Sequence, residues 1–383
     1  MPGGRWHRNC VAWVCWGFAL AAVLASCSPQ AELAYTPRED LRDLPPKQQQ
    51  QIATALERYF GTPRFPRFME VAPPEQQPAD ASEPVLIEKY DRALLVHGRE
   101  VYQRQCAGCH GTTGDGKGPA AAYLNPPPRD YRLGRFKFTS TPRGAKPRRA
   151  DLVRIIRYGA KGTSMPSFRF MPDDELEAVI AYVILLSSRG ELEYRLKAFA
   201  EQNLGETDDL TPADVAEQAQ VVAASWAQAE SQVVRPLTPQ PPYDESSIDA
   251  GARAFVRLNC YKCHGRDGRG NKTLDVGKDD WGRVAYAADL TTGMLHGGRR
   301  PIDIYRRIYS GINGTPMPAF AQPDAAQGET EAQRSETIWH LVHFITSIVE
   351  GRPLPLAVLD EEIERQRQRQ QQPAGTAPAV GGG

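Results

Sequence analysis

Two short cysteine- and histidine-containing segments are the parts of this chain most able to do chemistry. Residues 106–110 read CAGCH and residues 260–264 read CYKCH. Two cysteines separated by two residues and followed directly by a histidine are a haem attachment pattern, because two thiols can add to the porphyrin vinyl groups while the imidazole reaches the iron. The sequence therefore predicts two covalently attached haem c groups. Their attachment residues are Cys106, Cys109 and His110 in one copy and Cys260, Cys263 and His264 in the other.

The second axial ligand is predicted from a repeated loop. Residues 162–168 read GTSMPSF and residues 314–320 read GTPMPAF, which places Met165 and Met317 at the same position of a shared frame. These methionines follow their histidines by 55 and 53 residues. An iron that carries electrons without opening to a substrate needs such a ligand on its other face. His110 with Met165, and His264 with Met317, are the predicted iron ligands.

Other ligands and other uses of the cysteines stay open at this point. Met171 and Met294 lie outside the shared frame, and a bis-histidine site would need one of the remaining histidines. Those considered are His97, His296, His340 and His343. A zinc knuckle or a redox-active dithiol could also use closely spaced cysteines, although such sites belong mainly to reducing compartments or other folds.

The N-terminal region predicts export and anchoring. Residues 1–27 combine Arg5 and Arg8 with an apolar run from Val11 to Leu24, as in a secretory signal peptide. Residues 24–27 read LASC and resemble the bacterial lipoprotein cleavage box, in which the last cysteine receives lipid. Cys27 is therefore the predicted lipid anchor. An uncleaved membrane helix or a plain leader is the alternative, but the run is shorter than the roughly 20 residues that span a bilayer.

The elements that must position the two sites repeat along the chain, which indicates an internal duplication. The predicted division is a leader (1–27), a Pro- and Gln-rich spacer with one short helix (28–84), a first domain (85–190), an acidic helical connector (191–245), a second domain (246–350) and a disordered tail (351–383). The expected helices are Asp91–Gln105, Arg149–Tyr158 and Pro172–Ser187 in the first domain and Ile248–Asn259, Pro301–Ser310 and Ser335–Val349 in the second.

Each repeated segment resembles a small class I cytochrome c domain, and the whole resembles a dihaem cytochrome c lipoprotein. The resemblance implies a mainly α fold: two tandem cytochrome c-like helical domains joined by a helical connector, with a disordered N-terminal spacer and C-terminal tail. It also implies that the first and last helices of each domain pack on each other. The Pro-containing segment 125–130 resembles the one that holds the proximal histidine by a backbone carbonyl. The second domain has no obvious equivalent.

These features predict an electron carrier and no catalytic residues. The expected role is a membrane-anchored carrier or a cytochrome subunit of a respiratory complex, on the periplasmic side of a bacterial membrane. The expected partners are redox proteins, such as a haem-copper oxidase or another cytochrome, and the membrane itself through Cys27. Lys+Arg and Asp+Glu both number 46, which gives no sign of nucleic acid binding. The alternative is a dihaem enzyme such as a cytochrome c peroxidase, which would keep one iron open.

Overall fold

A computed structural model describes residues 34–371, and this part of the chain is mainly α-helical, as predicted. Its α-helices are α1 (Pro46–Phe60), α2 (Arg92–Gln105), α3 (Ala107–His110), α4 (Arg149–Tyr158), α5 (Asp173–Asn203), α6 (Pro212–Ala229), α7 (Glu245–Arg257), α8 (Cys260–His264), α9 (Pro301–Ser310), α10 (Glu331–Val349) and α11 (Leu356–Gln371). Strands β1 (Met69–Val71) and β2 (Leu86–Glu88) form an antiparallel pair. Short 3-10 helices lie at Glu39–Asp43, Pro74–Gln76, Ala121–Tyr123, Leu290–Thr292 and Ala325–Gln327.

Local capping signals fix the helix starts. Asp91 accepts hydrogen bonds from the backbone N–H groups at the start of α2. Thr211 opens α6 with a capping box and a proline at the first helical position, and Thr330 opens α10 in the same way without the proline. These caps satisfy N–H groups that a helix start leaves without partners. Gly159 and Gly311 end α4 and α9 with positive φ, a conformation that costs glycine little.

The two lobes have separate cores of the same design. In the first lobe (residues 34–229), α2 crosses α5 at Gly98; in the second (residues 234–371), α7 crosses α10 at Gly251. A Cβ atom on either glycine would lie 2.1 Å from a backbone oxygen of the facing helix. Tyr102 beside Tyr182 and Phe255 beside Phe344 fill the two crossings. The first and last helices of each domain therefore pack on each other, as the family resemblance implied.

The prediction that the N-terminal spacer (28–84) is disordered is wrong for residues 34–84, which the structure describes. Helix α1 lies where one short helix was expected, and its apolar stripe joins the first core rather than standing apart. Its buried residues include Ile52, Leu56, Tyr59 and Phe60. Apolar residues that are three or four positions apart lie on one face of a helix, and burying that face stabilises the lobe. Residues 34–88 therefore pack against the rest of the first lobe.

Two further boundaries differ from the expectation. Helix α5 continues from the first domain past residue 190 to Asn203, because Leu192, Leu196 and Ala200 extend its buried stripe.

The prediction that the tail (351–383) is disordered is also wrong up to residue 371, because α11 packs on α7 with Leu359 fully buried. Ion pairs along α11, such as Arg365 with Glu361, support a segment whose charged and Gln-rich composition suggested disorder.

The predicted leader and the anchor Cys27 lie outside the described residues. Within residues 34–371, no helix combines the length and the apolar character needed to cross a bilayer.

Candidate haem-binding sites

Each cysteine pair lies on one turn of helix, directly after α2 in the first lobe and directly after α7 in the second. Helix α3 carries Cys109 and His110, with Cys106 at its N-cap, and α8 carries Cys260, Cys263 and His264. None of these four cysteines forms a disulfide. As unmodified thiols, Cys106 and Cys260 have a pKa that burial raises to about 12. A structural zinc site needs four ligands, but no cluster of three metal-binding side chains occurs within residues 34–371.

Each proximal histidine is fixed by a backbone carbonyl. The Nδ1 atom of His110 lies 3.2 Å from the carbonyl oxygen of Arg129, and that of His264 lies 3.1 Å from the oxygen of Ala288. A carbonyl only accepts, so Nδ1 carries the proton and Nε2 keeps its lone pair for a metal. Burial lowers the pKa of both imidazoles, which favours this neutral form. Both histidines could therefore ligate a metal through Nε2, and their assignment as iron ligands stays a prediction.

Ala288 is a site residue that the sequence did not reveal. In the first lobe, the backbone N–H of Tyr131 bonds to the carbonyl of Gly114, and in the second that of Leu290 bonds to Gly268. Arg129 and Ala288 each lie two residues before the residue whose backbone N–H makes this hydrogen bond. They follow their histidines by 19 and 24 residues, respectively. The equivalence is structural, and the different loop lengths hide it in the sequence.

The glycine-rich stretches after the histidines fold in the same way. Gly111 and Gly265 follow the histidines at φ 75° and 74°. The carbonyl of His110 then accepts from Gly116, and that of His264 from Gly270, at 2.9 and 2.8 Å. Positive φ at these positions lets the chain reverse next to the imidazole. The loops keep backbone close to the attachment turn.

The two methionine loops share their hydrogen bonds. The backbone N–H of Met165 donates to the hydroxyl of Thr163 at 3.2 Å, and that of Met317 donates to Thr315 at 3.3 Å. Each hydroxyl donates in turn to the carbonyl three residues before it, at 2.8 Å. Each methionine is half-buried. The shared sequence frame therefore corresponds to a shared loop structure, and the assignment of these methionines as iron ligands stays a prediction.

The methionines and histidines considered as alternative iron ligands make other contacts. Met171 is buried in the first core, and Met294 is half exposed. His340 and His343 both bond to Ser247 between α7 and α10. The ring of His296 donates to the carbonyl of Lys161 in the other lobe, and His97 lies 3.9 Å from an oxygen of Asp174.

The first site has a tyrosine next to its imidazole, where the second site has Leu290 at the corresponding position. The hydroxyl of Tyr131 donates to that of Tyr102 at 2.5 Å, and Tyr102 donates to the carbonyl of Gly111 at 2.8 Å. The Tyr131 ring lies 5.4 Å from the His110 ring, between centroids. Burial raises the pKa of Tyr131 well above its usual value, so it stays neutral. In the second lobe, Gly268 packs against Leu290 and Ile348.

The residues fit a covalently held haem in each lobe, because the thiols share one turn and the neighbouring imidazole leaves Nε2 free. Comparison with known proteins supports this for the first lobe: residues 93–183 match the family model described as Cytochrome C oxidase, cbb3-type, subunit III. This match supports a cytochrome c domain in the first lobe. A cytochrome c domain supports haem-based electron transfer and implies covalently bound haem c as the cofactor.

No curated protein matches the chain. Among solved structures, it is similar to a chain of the reducing HAO-like protein complex of Kuenenia stuttgartiensis, at 29% identity and a TM-score of 0.47. The similarity covers 66% of this chain and 95% of that chain.

Proposed function

We propose that the protein is a dihaem cytochrome c that relays electrons one at a time. The observation that supports this proposal is a repetition: an attachment turn, a carbonyl-bonded histidine and a threonine-bonded methionine loop recur in the second lobe. His110 and Met165 would ligate one iron, and His264 and Met317 the other. The second lobe then does the same chemistry as the cytochrome c domain of the first.

A bound haem iron would supply the one-electron couple, and the residues around it would set its reduction potential. Met165 and Met317 would supply a thioether ligand to the haems, and this would raise the potential relative to other ligand sets, because the soft sulfur favours the reduced iron. The carbonyls of Arg129 and Ala288 hold the imidazoles in one orientation. Closing both axial positions favours transfer without substrate binding, and nothing among the described residues favours the peroxidase alternative.

The proposed setting is the periplasmic side of a bacterial membrane, with lipid on Cys27 as the anchor. Several acyl chains on one cysteine would hold firmly, because each buried methylene contributes roughly 0.8 kcal/mol. The first lobe is the proposed docking side for an acidic redox partner, since residues 85–190 carry 18 Lys/Arg and 10 Asp/Glu. Such a partner would be a respiratory complex, a haem-copper oxidase or another cytochrome.

The test is mass spectrometry and optical redox titration of natively produced full-length protein. The proposal expects a mature chain that begins at a lipid-modified Cys27 and carries the mass of two haems. Changing Cys106 and Cys109 to serine should remove one haem, and changing Cys260 and Cys263 should remove the other. A single haem in the unchanged protein would contradict the second site, whereas two haems without lipid would contradict only the anchor.

A second measurement tests the ligands. The sulfur-to-iron band in the near infrared should be present in the oxidised protein, and Met165→His and Met317→His should each remove part of it. Met69→His is the matched control, because Met69 lies in β1 and outside the shared frame. Loss of the band from the control, or its persistence in both ligand variants, would overturn the assignment.

A further inference from the structure

The methionine loop of the second lobe is held by an arginine of the first. Arg143 donates from Nη1 to the carbonyl of Met317 at 2.5 Å and from Nη2 to the carbonyl of Thr315 at 2.9 Å. Its neighbour Gly144 donates its backbone N–H to the side chain of Asn313 at 2.9 Å. One guanidinium therefore bridges the carbonyls on either side of Pro316 and fixes the backbone of the predicted ligand.

The contact is reciprocal. In the other direction, His296 of the second lobe donates from its ring to the carbonyl of Lys161, four residues before Met165. Met294 packs against Gly162 so closely that a Cβ atom there would lie 2.5 Å from its side chain. Arg143 and His296 lie in corresponding segments, six and five residues before α4 and α9 respectively. The segment before the middle helix of each lobe thus reaches the methionine loop of the other.

We propose that Arg143 is a positioning residue for the Met317–iron bond, and that His296 and Met294 do the same for the Met165 loop. This inference rests on the proposed ligands. Each lobe then supplies contacts that hold the methionine loop of the other. A planar guanidinium suits this task because its donors are fixed in one plane, so that it sets the spacing of two carbonyls, which a lysine cannot do.

The expected consequence is specific to the second haem. Without Arg143, the carbonyls of Thr315 and Met317 turn to solvent, and the loop can move away from the iron. A longer or broken sulfur–iron bond weakens the sulfur-to-iron band and lowers the potential, because the thioether no longer favours the reduced iron. Arg143 is exposed, so its substitution leaves both cores intact.

The experiment uses full-length haem-loaded protein in which only one haem reports. In a Met165→His background, the remaining band belongs to the second haem, and there Arg143→Gln should reduce its intensity by more than half and lower the potential of that haem. In a Met317→His background, where the first haem reports, Arg143→Gln should leave the band unchanged. Arg143→Lys should restore only part of the intensity.

Arg154→Gln in the Met165→His background is the matched control. Arg154 also donates across the interface, to Gly297 at 3.1 Å, without touching the Met317 loop, and it should not alter the band. An unchanged band and potential in Arg143→Gln would overturn this inference while the proposed ligands stand. Absence of any such band from the unchanged protein would instead overturn the proposed ligands. Equal losses in the Arg143 and Arg154 variants would show a general effect of the interface and contradict a positioning role.

Discussion

The guanidinium of Arg129 in the first lobe lies 3.7 Å from the centre of the Trp281 ring in the second. The backbone carbonyl of the same arginine accepts the hydrogen bond of His110, and the indole N–H of Trp281 donates to the next carbonyl, that of Asp130, at 2.7 Å. Trp281 also touches Gly314 in the methionine loop of its own lobe. One indole thus connects the loop that holds His110 in the first lobe with the methionine loop of the second.

Trp281→Ala should loosen the two lobes. It removes a cation–π contact and an indole hydrogen bond, which together contribute about 2 kcal/mol to lobe docking. Hydrogen exchange should then rise in residues 125–137, with the two lobe cores unaffected. Trp281→Phe, which keeps a ring but loses the N–H donor, should give a smaller rise. Unchanged exchange in the alanine variant would show that the lobes dock without this contact.

Gly251→Ala should destabilise the second lobe alone. Its Cβ would lie 2.1 Å from the carbonyl oxygen of His340, so α7 and α10 must separate. Overpacking of this kind costs about 1–3 kcal/mol. Denaturant unfolding followed at each lobe should show a lower midpoint for the second lobe only. Gly108→Ala is the control, because nothing lies within 4 Å of its added Cβ and Lys262 occupies the corresponding place. A comparable loss in that control would mean that the crossing is not the cause.

The sequence predicted the features that have local signals. The bounds of α4 and α9 are as expected, because Gly159 and Gly311 directly follow these helices and Pro301 begins α9. The Gly-Thr-x-Met-Pro frame identified two loops that share their hydrogen bonds. The sequence could not indicate Ala288, since it acts through a backbone carbonyl that every residue has. Arg143 was missed because its partners are more than 170 residues away.

Acid should weaken the crossing of α7 and α10 through His340 and His343. The hydroxyl of Ser247 lies 2.7 and 2.6 Å from their Nδ1 atoms, and the amide nitrogen of Gln240 lies 3.0 Å from Nε2 of His343. The amide donates, so Nε2 of His343 must accept. Protonation of that nitrogen would place two donors face to face.

Burial lowers the pKa of both histidines below the usual 6.5, and the charge of His340 lowers that of His343 further. The nearby carboxylates of Asp244 and Glu336 act in the opposite direction without reversing this effect. Because the pKa of each histidine is lower in the folded chain than in the unfolded one, acid favours the unfolded chain, which binds protons first. The second lobe is therefore most stable above pH 6.5 and loses stability as the pH falls from there through the folded pKa values.

Denaturant unfolding of the second lobe at a series of pH values measures this loss. His340→Gln should flatten the dependence, because it removes one titrating ring from a half-buried position. His97→Gln in the first lobe should leave it unchanged. The same steep dependence in both variants would place the acid sensitivity elsewhere in the lobe.

Removal of α11 should also destabilise the second lobe. Leu359 is fully buried against α7, and Gln366 bonds to Tyr261 at 3.2 Å and to Asn259 at 3.1 Å, beside the attachment turn. Ending the chain after Pro355 removes these contacts and exposes the surface that Leu359 covers. The loss of one buried leucine alone costs about 2–5 kcal/mol. The measurement is the unfolding midpoint of the second lobe relative to that of the first. Ending the chain after Gln371 is the control, and equal midpoints for the two truncated chains would show that α11 adds nothing to the fold.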